Sequence, residues 1–143
     1  MRKTIFLDFD GVLHVNGFDG GPKFEFMPDF CAAIRPYIGN FHIVISSSWR
    51  EEFSLNVIRD FFEDDIQPAV VGFTPVHIDG YTQGGREREI LSYCSTHGIS
   101  MDAWIALDDM YKLFSTSKNL IAINGDTGIG YGDLKILTHF LST

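Results

Sequence analysis

The chain has 143 residues with 45% hydrophobic content including 13 Phe, and a formal charge of −8 from 11 Lys and Arg against 19 Asp and Glu. A chain this long closes one sizeable core, burying roughly 70% of its unfolded surface, so residues 1–143 are expected to form a single domain. The acidic balance argues against a protein that grips a long nucleic acid through many phosphates, and no apolar run approaches the ~20 residues of a membrane span.

In chain order, residues 4–9 form an apolar run behind Arg2 and Lys3. Asp8 and Asp10 interrupt it before a signal-peptide core could form, so it reads as a buried strand. Residues 17–22 are irregular and long enough to line a site. Helical spacing follows at 29–38, with Pro36 expected to end that helix early. A strand at 41–45 runs into Ser46-Ser47-Ser48-Trp49-Arg50, and helical spacing returns at 53–62. A third strand at 69–73 is weakened by Gly72. After a second irregular stretch at 75–85 come a helix at 86–97, a strand at 104–107 closing in Asp108 and Asp109, and a short helix at 110–114. The last elements are a strand at 120–123 and a helix at 134–141. Alternating strand and helix predicts an α/β fold, a parallel doubly wound sheet with helices on both faces. Cys31 and Cys94 are too far apart for a zinc knuckle and too few for a disulfide framework, so a reducing cytoplasm is the expected compartment.

Three of these strands end in small polar or acidic residues: Asp8 and Asp10, Ser46, and Asp108 with Asp109. In an open parallel sheet those ends share the edge where such folds bind ligands. Asp8 and Asp10 are two apart on an extended chain, so both carboxylates face one side while Phe9 enters the opposite layer, and Gly11 lets the backbone turn. Such a pair can divide labour. One carboxylate attacks phosphorus, and the other, its pKa raised by its neighbour's charge, protonates the leaving oxygen; turn or cap residues are the plainer alternative. With Asp108 and Asp109 added, four carboxylates at one edge call for a cation, and Mg²⁺ suits an open oxygen site that keeps waters. One of the last two can equally cap the turn that follows.

Hydroxyls and free backbone N–H groups at the 46–50 junction can hold phosphate oxygens, or Ser48 can cap a helix. Arg50 can clamp a second phosphate or sit solvated. A positive charge is needed beside the nucleophile, and Arg86 and Arg88 open a predicted helix. Residues two apart point to different sides, so one of them faces the site, with Arg86 preferred. Gly11, Ser47, Arg50 and Arg88 are the expected substrate contacts.

The ordered set resembles the haloacid dehalogenase (HAD) superfamily. Ile5-Phe6-Leu7-Asp8-Phe9-Asp10-Gly11-Val12-Leu13 resembles its first motif, Ser46 its second, Arg86 the Lys or Arg of its third, and Ala106-Leu107-Asp108-Asp109 its acidic fourth. The Ser-Ser-Trp-Arg stretch, Gly72-Phe73-Thr74-Pro75, Arg86-x-x-Glu89-Ile90 and Thr127-Gly128-Ile129 resemble most closely the small HAD domains associated with RNA-repair proteins. The resemblance implies a Rossmann-like sheet of order 5-4-1-2-3 and an aspartyl-phosphate on Asp8, with Asp10 as general acid and base. It further implies Mg²⁺ held by Asp8, the backbone carbonyl of Asp10 and Asp109 in preference to Asp108, a phosphate held by Ser46, and Arg86 steadying both. No stretch leaves room for a cap domain. Capless members usually act on large substrates or exposed phosphate ends, which points to a nucleic-acid end or a phosphoprotein, with a nucleotide or a small metabolite left open, and no stable partner is expected.

Two other enzyme or binding readings compete with a phosphatase. A pure phosphate- or partner-binding module has no need of the proton shuttle Asp10, and a dehalogenase needs neither Asp10 nor a metal. The glycine-rich 125–132 segment lacks the Lys-Ser/Thr of a phosphate loop and reads as a turn. His14 follows the first motif and can touch substrate, but a packed histidine is the plainer expectation. Phe24, Phe26 and Phe30 are explained by core packing.

Overall fold

The protein is described here by a computed structural model that covers residues 2–17, 23–116 and 118–143. Most of the irregular stretch 17–22 lies outside the described residues. Strands β1 (Lys3–Leu7), β2 (Phe41–Ile45), β3 (Val70–Phe73), β4 (Trp104–Asp108) and β5 (Leu120–Ala122) form one sheet in the order β3-β2-β1-β4-β5. All neighbours pair in parallel, and the order is the expected 5-4-1-2-3 seen from the other edge.

The strands are apolar on both sides because both sides are covered, as parallel sheets require. Alternation along the strands then divides the core. Ile5, Leu7, Ile43, Ile45, Ile105 and Leu107 pack against helices α1 (Met27–Ile34), α2 (Leu55–Arg59) and α4 (Tyr131–Ser142) through Phe30, Ile34, Ile58, Leu137 and Leu141. Phe6, Val44, Trp104 and Ala106 face Ile90 and Cys94 of α3 (Gly85–His97). Phe30 is fully buried, and Phe24 and Phe26 pack against the first cluster.

Element ends depart from the periodicity where local chemistry intervenes. The helix expected to 38 stops at Ile34, and Pro36 sits in a 3₁₀ turn, Arg35–Tyr37, where its missing N–H does no harm. The helix expected over 53–62 shrinks to α2 because Ser54 is its N-cap, its hydroxyl accepting from Val57 N–H. The helix expected at 110–114 is a 3₁₀ turn, Tyr111–Leu113. By contrast α4 begins three residues early, where the Asp133 carboxylate takes the Gly130 N–H.

Register positions the chemistry. Leu7 is level with Ile45 on one side and Leu107 on the other. The next residues, Asp8, Ser46 and Asp108, therefore lie side by side at the carboxyl edge of the sheet, with Asp8 directly after the central strand.

Candidate active site

Asp8 closes β1 with its N–H donated to Leu107 O and its side chain almost wholly buried. The chain then turns sharply: Val12 and Leu13 N–H both donate to Phe9 O, and Gly11 adopts φ +79°. Any other residue is strained there, and its Cβ would stand 2.3 Å from Asp109 Oδ2 and 2.9 Å from Asn16 Nδ2, so that both side chains would have to move. Gly125 is constrained by the same pair, at 2.6 Å and 2.2 Å. Between these glycines Asn16 Nδ2 donates to Asp109 Oδ2 at 2.6 Å. The glycine-rich segment thus serves the site by making room for Asp109.

Asp8, Asp108 and Asp109 each bring an oxygen to within 4.8 Å of the others. One cation enters this group. Arg86 Nη1 lies 2.7 Å from Asp108 Oδ2 and 3.4 Å from Asp8 Oδ1. Burial, reinforced by Asp108 and only partly offset by Arg86, raises the Asp8 pKa well above the usual carboxylate range. Asp108 is also raised by burial, against the pull of Arg86 and of a hydrogen bond from Met110 N–H. Burial works against the charge of Arg86, but Asp108 and Asp8 outweigh it and hold its pKa above the ordinary value. Three carboxylates against one guanidinium leave negative charge over, in an all-oxygen donor set. That is the chemistry a hard dication such as Mg²⁺ fits.

Asp10 stands apart from this cluster. Its carboxylate accepts from His14 Nε2 at 2.7 Å and from Trp49 Nε1 at 3.2 and 3.1 Å. Its pKa is not raised by its neighbour, as the sequence led us to expect, but lowered, chiefly by the His14 hydrogen bond and further by Trp49, with burial opposing. Donors favour the ionised form, and they act at contact distance.

Asp8, Asp10, Asn16, Ser48, Tyr81, Arg86, Asp109 and Met110 line one cavity of about 250 Å³. Of the expected phosphate-binding hydroxyls, Ser46 and Ser47 are buried, and the one lining this cavity is Ser48. The cap of the 3₁₀ turn Ser48–Glu51 is Ser47, whose Oγ accepts from Trp49 N–H, so Ser47 is turned inward.

Besides Ser47, the other three expected substrate contacts are engaged elsewhere in the structure. Arg50 is neither solvated nor a phosphate clamp: its guanidinium donates to the carbonyls of Ser46, Ser47, Thr74 and Pro75 and to Glu89 Oε1. Arg88 turns outward to Asp79, Thr82 Oγ1 and Gln83 O, being two residues from Arg86 and hence on another side of α3. Gly11 contributes space for Asp109 where a substrate contact was expected. Asn16, Trp49 and Tyr81 were not anticipated, and His14 was only weighed. Its spacing of four from Asp10 across a glycine turn was the available signal; the others depend on distant segments meeting.

A family model described as the HAD domain in Swiss Army Knife RNA repair proteins matches residues 4–133. No curated protein matches the chain.

Proposed function

The chain belongs to this family of HAD domains, and from that membership and the edge of its sheet we propose that it is a Mg²⁺-dependent phosphomonoester hydrolase that passes its phosphoryl group through Asp8. The observation that carries the reading is the sharing of one cavity by two carboxylates of different environment, Asp8 and Asp10, together with Arg86, Asp109 and Ser48. A nucleophile, a proton shuttle, a cation and a metal-binding acid are what phosphoryl transfer to a carboxylate needs.

In the first step an Asp8 carboxylate oxygen attacks phosphorus, the bond to the leaving oxygen breaks, and that oxygen takes a proton from Asp10 in its protonated form, the minor form because His14 and Trp49 favour the carboxylate. In the second, water attacks phosphorus, Asp10 takes the proton from the water, and the bond to Asp8 breaks to release phosphate. Arg86 steadies Asp8 and offsets the charge of the transferring group. The Ser48 hydroxyl meets a phosphate oxygen. Asp8, Asp109 and the Asp10 backbone carbonyl would hold Mg²⁺, which supplies charge stabilisation for the phosphoryl oxygens when bound.

The substrate we favour is a phosphorylated nucleic-acid end or nucleotide, with a phosphoprotein as the other candidate. The cavity is small, and Tyr81, Met110 and the neighbouring Tyr111 are exposed, giving flat apolar surface for a base beside a terminal phosphate. The first test is release of phosphate from p-nitrophenyl phosphate and from 3′- and 5′-phosphorylated oligonucleotides, with Mg²⁺ or EDTA and with Asp8→Asn as control. Metal-dependent release lost in the variant is the expected result. Silence on every ester overturns the hydrolase and leaves a phosphate-binding module.

A further inference from the structure

We infer that His14 is a positioning residue for Asp10, locked in the Nε2–H tautomer by the backbone of Phe24, with Trp49 as the second donor that fixes the Asp10 carboxylate. The inference rests on the reading of Asp10 as general acid and base.

The tautomer follows from two contacts. Phe24 N–H donates to His14 Nδ1 at 3.1 Å, so Nδ1 must be the bare nitrogen. The ring hydrogen of the neutral imidazole is then on Nε2, which lies 2.7 Å from Asp10 Oδ1 and donates to it. Such an outer partner, binding one ring nitrogen to fix what the other does, is the device that orients catalytic and metal-bound histidines elsewhere.

The delivery of that N–H carries a conformational cost. Among the described non-glycine residues, Phe24 alone has a positive φ, +57°, which a bulky side chain rarely adopts. Its ring is held there by aromatic packing: centroids of Phe61, Trp49, Phe9 and His14 lie 4.8, 5.2, 5.3 and 5.3 Å away. The same packing places the Trp49 indole, whose N–H reaches both Asp10 oxygens. His14 itself is buried, with 3% exposure. It is not among the residues lining the Asp8 cavity, whereas Asp10 is, and Asp10 remains half exposed to meet a leaving group. His14 therefore acts through Asp10 and does not itself touch substrate.

The experiment compares His14→Leu, His14→Gln and Trp49→Phe with the unsubstituted protein. Leu removes the donor, Gln can still accept from Phe24 and donate to Asp10, and Phe keeps an aromatic ring but loses the indole N–H. We expect kcat to fall roughly 10- to 100-fold in His14→Leu and several-fold in Trp49→Phe, with KM within about twofold, because Asp10 serves both steps. His14→Gln should recover most of the loss. Equal loss in Gln and Leu, or a change confined to KM, overturns the inference. A second readout does not need turnover: at pH 8, ¹⁵N correlation of the imidazole should show a proton on Nε2, and Asp10→Ala should shift that resonance or lose it to water exchange. A proton on Nδ1, or an Nε2–H indifferent to Asp10→Ala, overturns the inference even if no ester is hydrolysed, and so separates its failure from that of the phosphatase reading.

Discussion

Two buried arginines, Arg86 on α3 and Arg50 paired with Glu89 of the same helix, do opposite jobs. Arg50 and Glu89 form an ion pair with both side chains at most 4% exposed, and every polar direction of that pair is used. Arg50 takes four carbonyls as well as the carboxylate, and Glu89 Oε2 accepts His77 N–H. Arg86 is buried to the same degree, but it faces Asp8 and Asp108 with Asp109 alongside, and its one charge cannot satisfy three. Arg86 and Glu89 are three apart on α3 and so share a side of it, which lets one helix hold both regions. The paired region ties the ends of β2 and β3 to α3. The unpaired region is left with charge to spend on a ligand. Depth of burial and residue type do not separate structure from function here; completeness of pairing does.

The largest effect is expected from removing one of the surplus carboxylates. Asp8→Asn should lower turnover by on the order of 10⁴-fold or more, because the proposed nucleophile is lost. Thermal stability in EDTA should hold or rise, because one of three mutually repelling carboxylates goes with it. A variant that stays active would sink the assignment of Asp8, and one that unfolds would show that Asp8 is structural.

The paired region should respond in the reverse way. Arg50→Met leaves the Glu89 carboxylate and four carbonyls buried without their donor, and breaking such a pair costs about 3–5 kcal/mol, roughly 10 °C or more in melting temperature for a chain of this size. Melting curves followed by circular dichroism decide this. An Arg50→Met protein as stable as the parent would mean that the strut is dispensable and the contrast with Arg86 is illusory.

Acidity probes the carboxylate cluster without any substitution. Asp8 and Asp108 have folded pKa values raised chiefly by burial, so between the unfolded value of about 4 and those raised values the folded state binds more protons than the unfolded chain. The sign is fixed: in EDTA, the contribution of this cluster to stability is greatest below pH ~4 and declines as pH rises through that window. Asp10 has the opposite sign. Its lowered pKa contributes stability above pH ~4 that is lost as pH falls through its folded value, and its half-exposed carboxylate makes that term the smaller. Melting temperature against pH in EDTA should therefore slope downward above pH 4, more steeply than for Asp8→Asn. Saturating Mg²⁺ should flatten the slope, and a parent and Asp8→Asn with identical pH profiles would remove the charge surplus from the account.

Much of this was legible in the sequence because it is encoded locally. Apolar runs that end in Asp8, Ser46 and Asp108 announce a parallel sheet with chemistry along one edge, and a regular register carries those three to the same level. The roles of Arg50 and Ser48 were not legible, because they depend on which segment arrives beside them. Arg50 follows three serines as a phosphate ligand could, and only the approach of Glu89, 39 positions away, converts it into a strut. Asn16 is likewise an ordinary loop residue until Asp109 and Gly125 close over it.

Arg88 tests the comparison at its weakest point. It is as basic as Arg86, two residues further along the same helix, and it too pairs with an aspartate, with Arg88 Nη2 and Asp79 Oδ2 2.9 Å apart. Both side chains are close to half exposed, however, so water already solvates the charges and little is gained by bringing them together. Arg88→Ala should change stability by less than about 0.5 kcal/mol and leave phosphate release within about twofold of the parent, whereas Arg86→Ala should lose most of that release. If instead the two substitutions were equally damaging, the third-motif cation would be shared along the helix, and position on α3 would matter less than local basic charge.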